Sequence, residues 1–288
     1  MLFNALAQSA GFVTGSALVL GLLVGSFLNV VIYRLPQMMQ AGWRRECREY
    51  LELPAEAPAE RFDLLLPASH CPACKAEIKA YQNIPVFSYL LLGGKCANCG
   101  AKIAWRYPLI EAFTGLCSAL VAWQLGYGWA LAFALPLTWC LIALSFIDID
   151  QQLLPDSITL PLVWLGLLLS VFGIFADSRD SIVGAVAGYL SLWCVFHGFK
   201  LLTGKEGMGY GDFKLLAVFG AWLGWQYLPL IVLLSSLVGA TAGIAMIVFC
   251  RRDAAKPIPF GPYLAMAGWL ALLWGEQMNA WYLRITGL

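Results

Sequence analysis

The sequence predicts an all-α, polytopic membrane protein with about eight transmembrane helices and a cysteine-rich insert after the first of them. Three observations predict it. The 288 residues are 60% hydrophobic and only 12% charged, about half the charged fraction of an ordinary soluble domain. Apolar runs close to the roughly 20 residues that cross a bilayer recur along the chain. The polar residues, in contrast, are concentrated in one stretch between the first and second runs.

The candidate spans cover approximately 11–35, 108–127, 129–147, 157–176, 182–202, 213–230, 231–250 and 258–283. Gln226 and Pro229 are the clear punctuation between the sixth and seventh. The opening MLFNALAQSAG has no basic residue before the first span, which suits a retained helix better than a cleaved secretory signal. The expected organisation is a first helix (1–35), an insert (36–107) and a helical core (108–288).

Basic residues set the expected orientation. Residues 34–106 hold Arg34, Arg44, Arg45, Arg48, Arg61, Lys75, Lys79, Lys95, Lys102 and Arg106. With eight spans, Lys200, Lys205, Lys214, Arg251, Arg252 and Lys256 fall on the same face, and only Arg179 and Arg284 on the other. Positive-inside bias makes the rich face cytoplasmic, together with the insert, the 148–156 segment and the 203–212 loop. The mixed charges and prolines of 43–63 suggest a short helix followed by a solvated linker.

Nine cysteines are present. Cys117, Cys140, Cys194 and Cys250 sit in or at the ends of apolar spans and read as small buried hydrophobes; Cys47 stands alone in a charged segment. Cys71 and Cys74 in CPACK, and Cys96 and Cys99 in CANCG, form two C-x-x-C pairs. Four thiolates so spaced make a closed tetrahedral zinc site with a folding role and no open coordination position. A pair of disulfides is the competing reading, and the cytoplasmic placement argues against it. His70 is an alternative ligand. The metal would staple an insert of about 70 residues with little core of its own.

Several carboxylates stand where charge is costly. Asp148 and Asp150 end the third span, Asp156 precedes the fourth and Asp212 precedes the sixth. Ionisable groups at such positions are functional candidates. Asp156 reads as a cap of the fourth helix. Asp150 reads equally as a solvated end-of-span residue, and Asp148 lies closest to the membrane. The glycines of GMGYGDFK around Asp212 allow a sharp turn or the close approach of another chain. Two carboxylates brought together by different loops share a proton, so one can activate water while the other polarises a carbonyl. That is aspartic protease chemistry. No G-x-S-x-G or H-E-x-x-H occurs, and of the two histidines His197 lies within a span and reads as a packed residue. A proton-coupled transporter could use the same carboxylates as a relay, but the sequence shows no repeated halves.

Five blocks in chain order are similar to the type IV prepilin peptidases, the bifunctional leader peptidases and N-methyltransferases of type IV pili and type II secretion. They are GSFLNVVIYRLP (25–36), the cysteine-bearing 69–111 segment, DIDQQLLPD (148–156), GYGDFKL (209–215) and IPFGPYLA (258–265). The resemblance implies an intramembrane aspartyl protease of the glycine-x-glycine-aspartate type. Its aspartates fall on Asp148, seven residues before the proline, and on Asp212, with Gly209, Gly211 and Lys214 completing the second motif. Lys214 would hold the leader-side backbone or anchor the sixth span at the headgroups. The implied substrates are prepilins and pseudopilins, with a short basic leader and an apolar helix, cleaved after a glycine at the cytoplasmic face of the inner membrane. The implied second reaction methylates the new N-terminal amine from S-adenosylmethionine. Its candidate contacts are Ser26, Asn29, Gly93, Gly94 and Glu111. Ser26 and Asn29 serve equally as helix–helix hydrogen bonders, and Gly93 and Gly94 equally as the turn of the cysteine hairpin. A peptidase without the methyltransferase is the alternative within the same resemblance.

Overall fold

The computed structural model describes residues 9–54, 61–205, 207–250 and 258–286. Arg251, Arg252 and Lys256, which contributed to the expected orientation, lie outside them, as do residues 1–8 of the opening segment and 55–60 of the expected linker. The described residues form helices α1 (Ala10–Tyr50), α2 (Phe87–Leu91), α3 (Arg106–Leu125), α4 (Trp129–Gln151) and α5 (Asp156–Val171). These are followed by α6 (Ser178–Thr203), α7 (Tyr210–Leu223), α8 (Leu228–Cys250) and α9 (Gly261–Thr286). Apart from two isolated bridges in the insert, the described residues contain no β structure.

The eight expected spans fall in order on α1 and α3 to α9 among the described residues. Five helices among the described residues are long and apolar enough to cross a bilayer on their own: α1, α3, α4, α6 and α8. At 16 and 14 residues, α5 and α7 rise about 24 and 21 Å, short of the roughly 30 Å hydrocarbon layer. Two boundaries differ from expectation. The first helix does not stop near residue 35. It runs on for 41 residues, about 60 Å, because Pro36 removes one backbone donor while the following residues are mostly good helix formers. The short helix expected in 43–63 is thus the end of α1. The break between the sixth and seventh helices falls at Gly224, not at 230. Its φ of +89° closes α7, and its N–H bonds the carbonyl of Gly220. Pro229 belongs to the first turn of α8, where a missing N–H costs nothing.

The chain divides into two compact units at Leu131/Ala132. In the first, α1 and α3 approach through small residues. A Cβ on Gly21 would stand 2.7 Å from Ser118 Cβ, and one on Gly25 would stand 2.7 Å from Glu111 Cα. Close backbone approach of this kind replaces hydrophobic burial as the cohesive force between apolar helices in lipid.

In the second unit, α7 is the central helix. Eleven of its 14 residues are buried, from Asp212 through Leu223, so a helix too short to span alone is sheathed by its neighbours. Ser181 Oγ donates to the Ala221 carbonyl at 2.5 Å. Gly184 meets the backbone of Gly220, and a Cβ on Gly188 would lie 2.7 Å from the Leu216 carbonyl oxygen. These three α6 positions, spaced by three and four, form one glycine-lined face. On the other side Trp222 Nε1 donates to the Leu162 carbonyl of α5 at 2.8 Å. Helices α4 and α9 are joined by Trp269 Nε1 donating to Thr138 Oγ1 at 3.0 Å.

Candidate active site

Helix α4 carries Asp148 in its last turn, and α7 carries Asp212 in its first. Both side chains are buried, at 6% and 7% exposure, and they lie within electrostatic range of each other. Asp150, two residues on, is exposed. Two steps along an α-helix rotate a side chain by about 200°, so burial of one aspartate turns the other outward.

The glycines of the second motif set the approach. Gly209 is the N-cap of α7, and its backbone amide faces the Asp212 carboxylate. A Cβ on Gly211 would stand 2.6 Å from Leu154 Cβ. Leu154 therefore packs directly on the α7 backbone, and its own segment leads back to Asp148. Gly261 N–H, at the start of α9, donates to Asp148 Oδ2 at 3.0 Å. Asp212 Oδ1 is buried and has no hydrogen-bond partner among the described residues. An orphaned buried oxygen is costly and calls for a specific reason.

Lys214 and Asp156 meet each other. Lys214 Nζ lies 2.6 and 2.7 Å from the two oxygens of Asp156. Asp156 makes no capping bond to α5; Pro155 occupies the N-cap and Asp156 the first turn, where a carboxylate favours the helix N-terminus. The cap expected at Asp156 is thus replaced by an ion pair joining the segment after Asp148 to the turn that holds Asp212. His197 is packed between Trp193 and Phe196, ring centroids 4.1 and 5.1 Å away.

The four cysteines of the insert come together. Their sulfurs lie within 4.8 Å of one another, with Cys71 and Cys99 Sγ 3.9 Å apart. A tetrahedron with Zn–S of about 2.3 Å has sulfurs about 3.8 Å apart. Each pair sits in the same knuckle. Cys71 N–H bonds the Ala76 carbonyl and Lys75 N–H the Cys71 carbonyl; Cys96 with Ala101 and Gly100 with Cys96 repeat the pattern. Lys75 and Gly100, the fifth residues of the two knuckles, both have positive φ, +60° and +71°. The Asn98 side-chain amide, with Ala76 N–H, pulls the Cys74 thiol down to about 6. Cys99 is favoured as a thiolate by Ala101 N–H, but the crowded thiols of Cys74, Cys96 and Cys71 and partial burial push it up to about 11. Four sulfurs this close ionise together only when a cation neutralises them, so the donor set suits a tetrahedral metal. His70 is outside the cluster, with Nδ1 3.2 Å from the Ala68 carbonyl.

The remaining candidates lie in the first unit. Ser26 hydrogen-bonds the buried Glu111 carboxylate, whose Oε2 also accepts Val86 N–H at 2.8 Å. Asn29 Nδ2 donates to the carbonyls of Gly25 (3.3 Å) and Tyr107 (3.2 Å). Gly93 and Gly94 have φ of +58° and +68° and close α2 ahead of the second knuckle. Val86, a β-branched residue at φ +62°, was not singled out by the sequence, since no local pattern marks it. Neither was Asn98, although an amide inside a C-x-x-C knuckle is a legible thiolate donor. Gly261 stood only within a quoted block, without a role.

Five helices long and apolar enough to cross a bilayer, with two buried carboxylates carried on different helices, define the class as a helical membrane protein. Residues 19–125 match the bacterial peptidase A24 N-terminal domain, and residues 135–244 match the type IV leader peptidase family. Curated relatives named prepilin leader peptidase/N-methyltransferase align over nearly the full length. The protein of Stutzerimonas stutzeri is 59% identical over 94% of each chain, and that of Pseudomonas aeruginosa 58% over 94% of this chain and 93% of its own. That of Neisseria gonorrhoeae is 54% identical over 90% of each. No solved structure matches the chain. The chain belongs to the prepilin leader peptidase/N-methyltransferase family.

Proposed function

We propose that this protein cleaves the leader peptide from type IV prepilins and pseudopilins and then methylates the new N-terminal residue. The observation that carries the reading is the burial of Asp148 and Asp212, on different helices and within electrostatic range, in a chain of this family. In the proposed mechanism the substrate's apolar helix lies among the spans and its scissile bond rests against the open glycine turn at Gly209. Water attacks the carbonyl carbon as one carboxylate takes its proton. The other polarises the carbonyl, and the C–N bond breaks as the amine regains a proton. Gly209 leaves room for a substrate backbone that a side chain would restrict, while the space at Gly211 is taken by Leu154.

The first unit is proposed to serve methyl transfer. S-adenosylmethionine supplies an activated methyl group. Glu111, a buried carboxylate held by Ser26 and Val86, suits a cationic cofactor, with Asn29, Gly93 and Gly94 as the other candidate contacts. Cys71, Cys74, Cys96 and Cys99 are proposed to hold one structural zinc that orders the 36–107 insert. With eight crossings, the insert and both aspartates face the cytoplasm from the inner membrane, the side that the basic residues favour. Residues 108–288 then form the protease core.

The test is direct. A purified prepilin in detergent micelles is incubated with the protein and S-adenosylmethionine, and the product is weighed by mass spectrometry. The expected product lacks the leader and carries one added methyl group at its N-terminus. A cleaved but unmethylated product would reduce the reading to the peptidase alone, and an intact prepilin would remove it.

A further inference from the structure

We infer that Gly261 is a positioning residue for the cleavage reaction, fixing the Asp148 carboxylate through its backbone N–H. The inference rests on Asp148 being one of the two proteolytic carboxylates. The first N–H groups of a helix have no partner within it. At the start of α9, Tyr263 and Leu264 N–H turn back to the Phe260 carbonyl, and Pro262 has no N–H to give. Gly261 N–H is aimed instead at Asp148 Oδ2, 3.0 Å away in a buried setting and 113 residues distant in sequence. The carboxylate therefore caps α9 from another helix.

A side chain at 261 would displace the carboxylate. A Cβ there would stand 2.6 Å from Asp148 Oδ2, 3.3 Å from its Cγ and 3.2 Å from Leu154 Cδ2. The arrangement also answers an electrostatic difficulty. Asp148 lies in the last turn of α4, where the helix dipole disfavours an anion, while the α9 N-terminus that faces it favours one. The Trp269–Thr138 hydrogen bond ties the same two helices farther along, so α9 delivers the amide from a fixed position. Each carboxylate thus meets a main-chain amide, Asp148 that of Gly261 on another helix and Asp212 that of Gly209 in its own turn.

The experiment measures prepilin cleavage in micelles by Gly261→Ala, normalised to folded enzyme. The expected result is a fall in kcat of about 100-fold with KM unchanged, the consequence of displacing a reacting group by about 1 Å. Gly275→Ala serves as the control for packing. It sits farther along the same helix against the Tyr227 ring, which belongs to neither α4 nor α7, and lowers Tm while leaving the kcat of the folded fraction intact. A second readout needs no activity. Gly261→Ala lowers Tm in the wild type, and most of that loss disappears in an Asp148→Ala background, where the clashing carboxylate is gone. If Asp148→Asn and Asp212→Asn are inactive while Gly261→Ala keeps wild-type kcat, the inference is overturned and the aspartate pair stands. If both asparagine variants cleave normally, the pair itself fails. A melting cycle without coupling overturns the Gly261 contact on its own.

Discussion

Replacing Gly188 by alanine should displace Asp212 without touching it. Gly188 lies on the glycine face of α6, and its added Cβ would meet the backbone of α7, 2.7 Å from the Leu216 carbonyl oxygen, 3.0 Å from its carbon and 3.1 Å from Ala217 Cα. Backbone atoms cannot swing aside as a flexible side chain can. Reaching the 3.4 Å of ordinary contact moves α7 by about 0.7 Å. Overpacking of this kind costs about 1–3 kcal/mol, which for a unit of this size lowers Tm by about 2–4 °C per kcal/mol. Asp212 is one helical turn from Leu216, so it shares most of the shift. A misplacement of 1 Å costs about 100-fold, so a loss of roughly 10–100-fold in kcat is expected. The assay is prepilin cleavage together with a tryptophan-fluorescence melt. Gly198→Ala on the same helix is the control, because its Cβ meets nothing within 4 Å; it should melt at or above the wild-type temperature, since alanine favours helix by up to about 1 kcal/mol. Wild-type melting and cleavage by Gly188→Ala would refute the idea that the close α6–α7 crossing holds Asp212 in place.

Other perturbations have equally definite outcomes. Gly211→Ala puts a Cβ 2.6 Å from Leu154 Cβ, so it should slow cleavage, and adding Leu154→Ala should restore part of the rate; no restoration would locate the defect elsewhere. Breaking the partly exposed Lys214–Asp156 pair by Lys214→Ala should lower stability by no more than about 1 kcal/mol. The charge-reversed pair Lys214→Asp with Asp156→Lys should recover it in low-salt melts. Elemental analysis should find one zinc per chain. Each of Cys71→Ser, Cys74→Ser, Cys96→Ser and Cys99→Ser should lose it and raise amide exchange across residues 70–102, while Cys47→Ser changes neither.

Elements written in local patterns were legible in the sequence. Apolar runs of about 20 residues marked the long helices, and two C-x-x-C pairs marked the knuckles that bring four sulfurs together. Where the signal was a single residue, tertiary context decided. The first span was expected to end near residue 35, yet the donor missing at Pro36 did not outweigh the helix formers that follow it. Gly224 ended α7 because its left-handed φ suits a glycine, whereas the nearby Gln226 and Pro229 looked like stronger punctuation. Asp156 carried the local signature of a cap, but a lysine 58 residues away claimed its carboxylate. The bond from Gly261 to Asp148 spans 113 residues, and no periodicity or spacing rule reaches that far. The motifs named the two aspartates; only the packing of α4, α7 and α9 shows what surrounds them.

The most direct test of the central claim is prepilin cleavage in micelles by wild type, Asp148→Asn, Asp150→Asn and Asp212→Asn, each confirmed folded by its melt. The account predicts that Asp148→Asn and Asp212→Asn abolish cleavage while Asp150→Asn, on the exposed side of α4, retains it. Cleavage at the wild-type rate by Asp148→Asn or Asp212→Asn would contradict it.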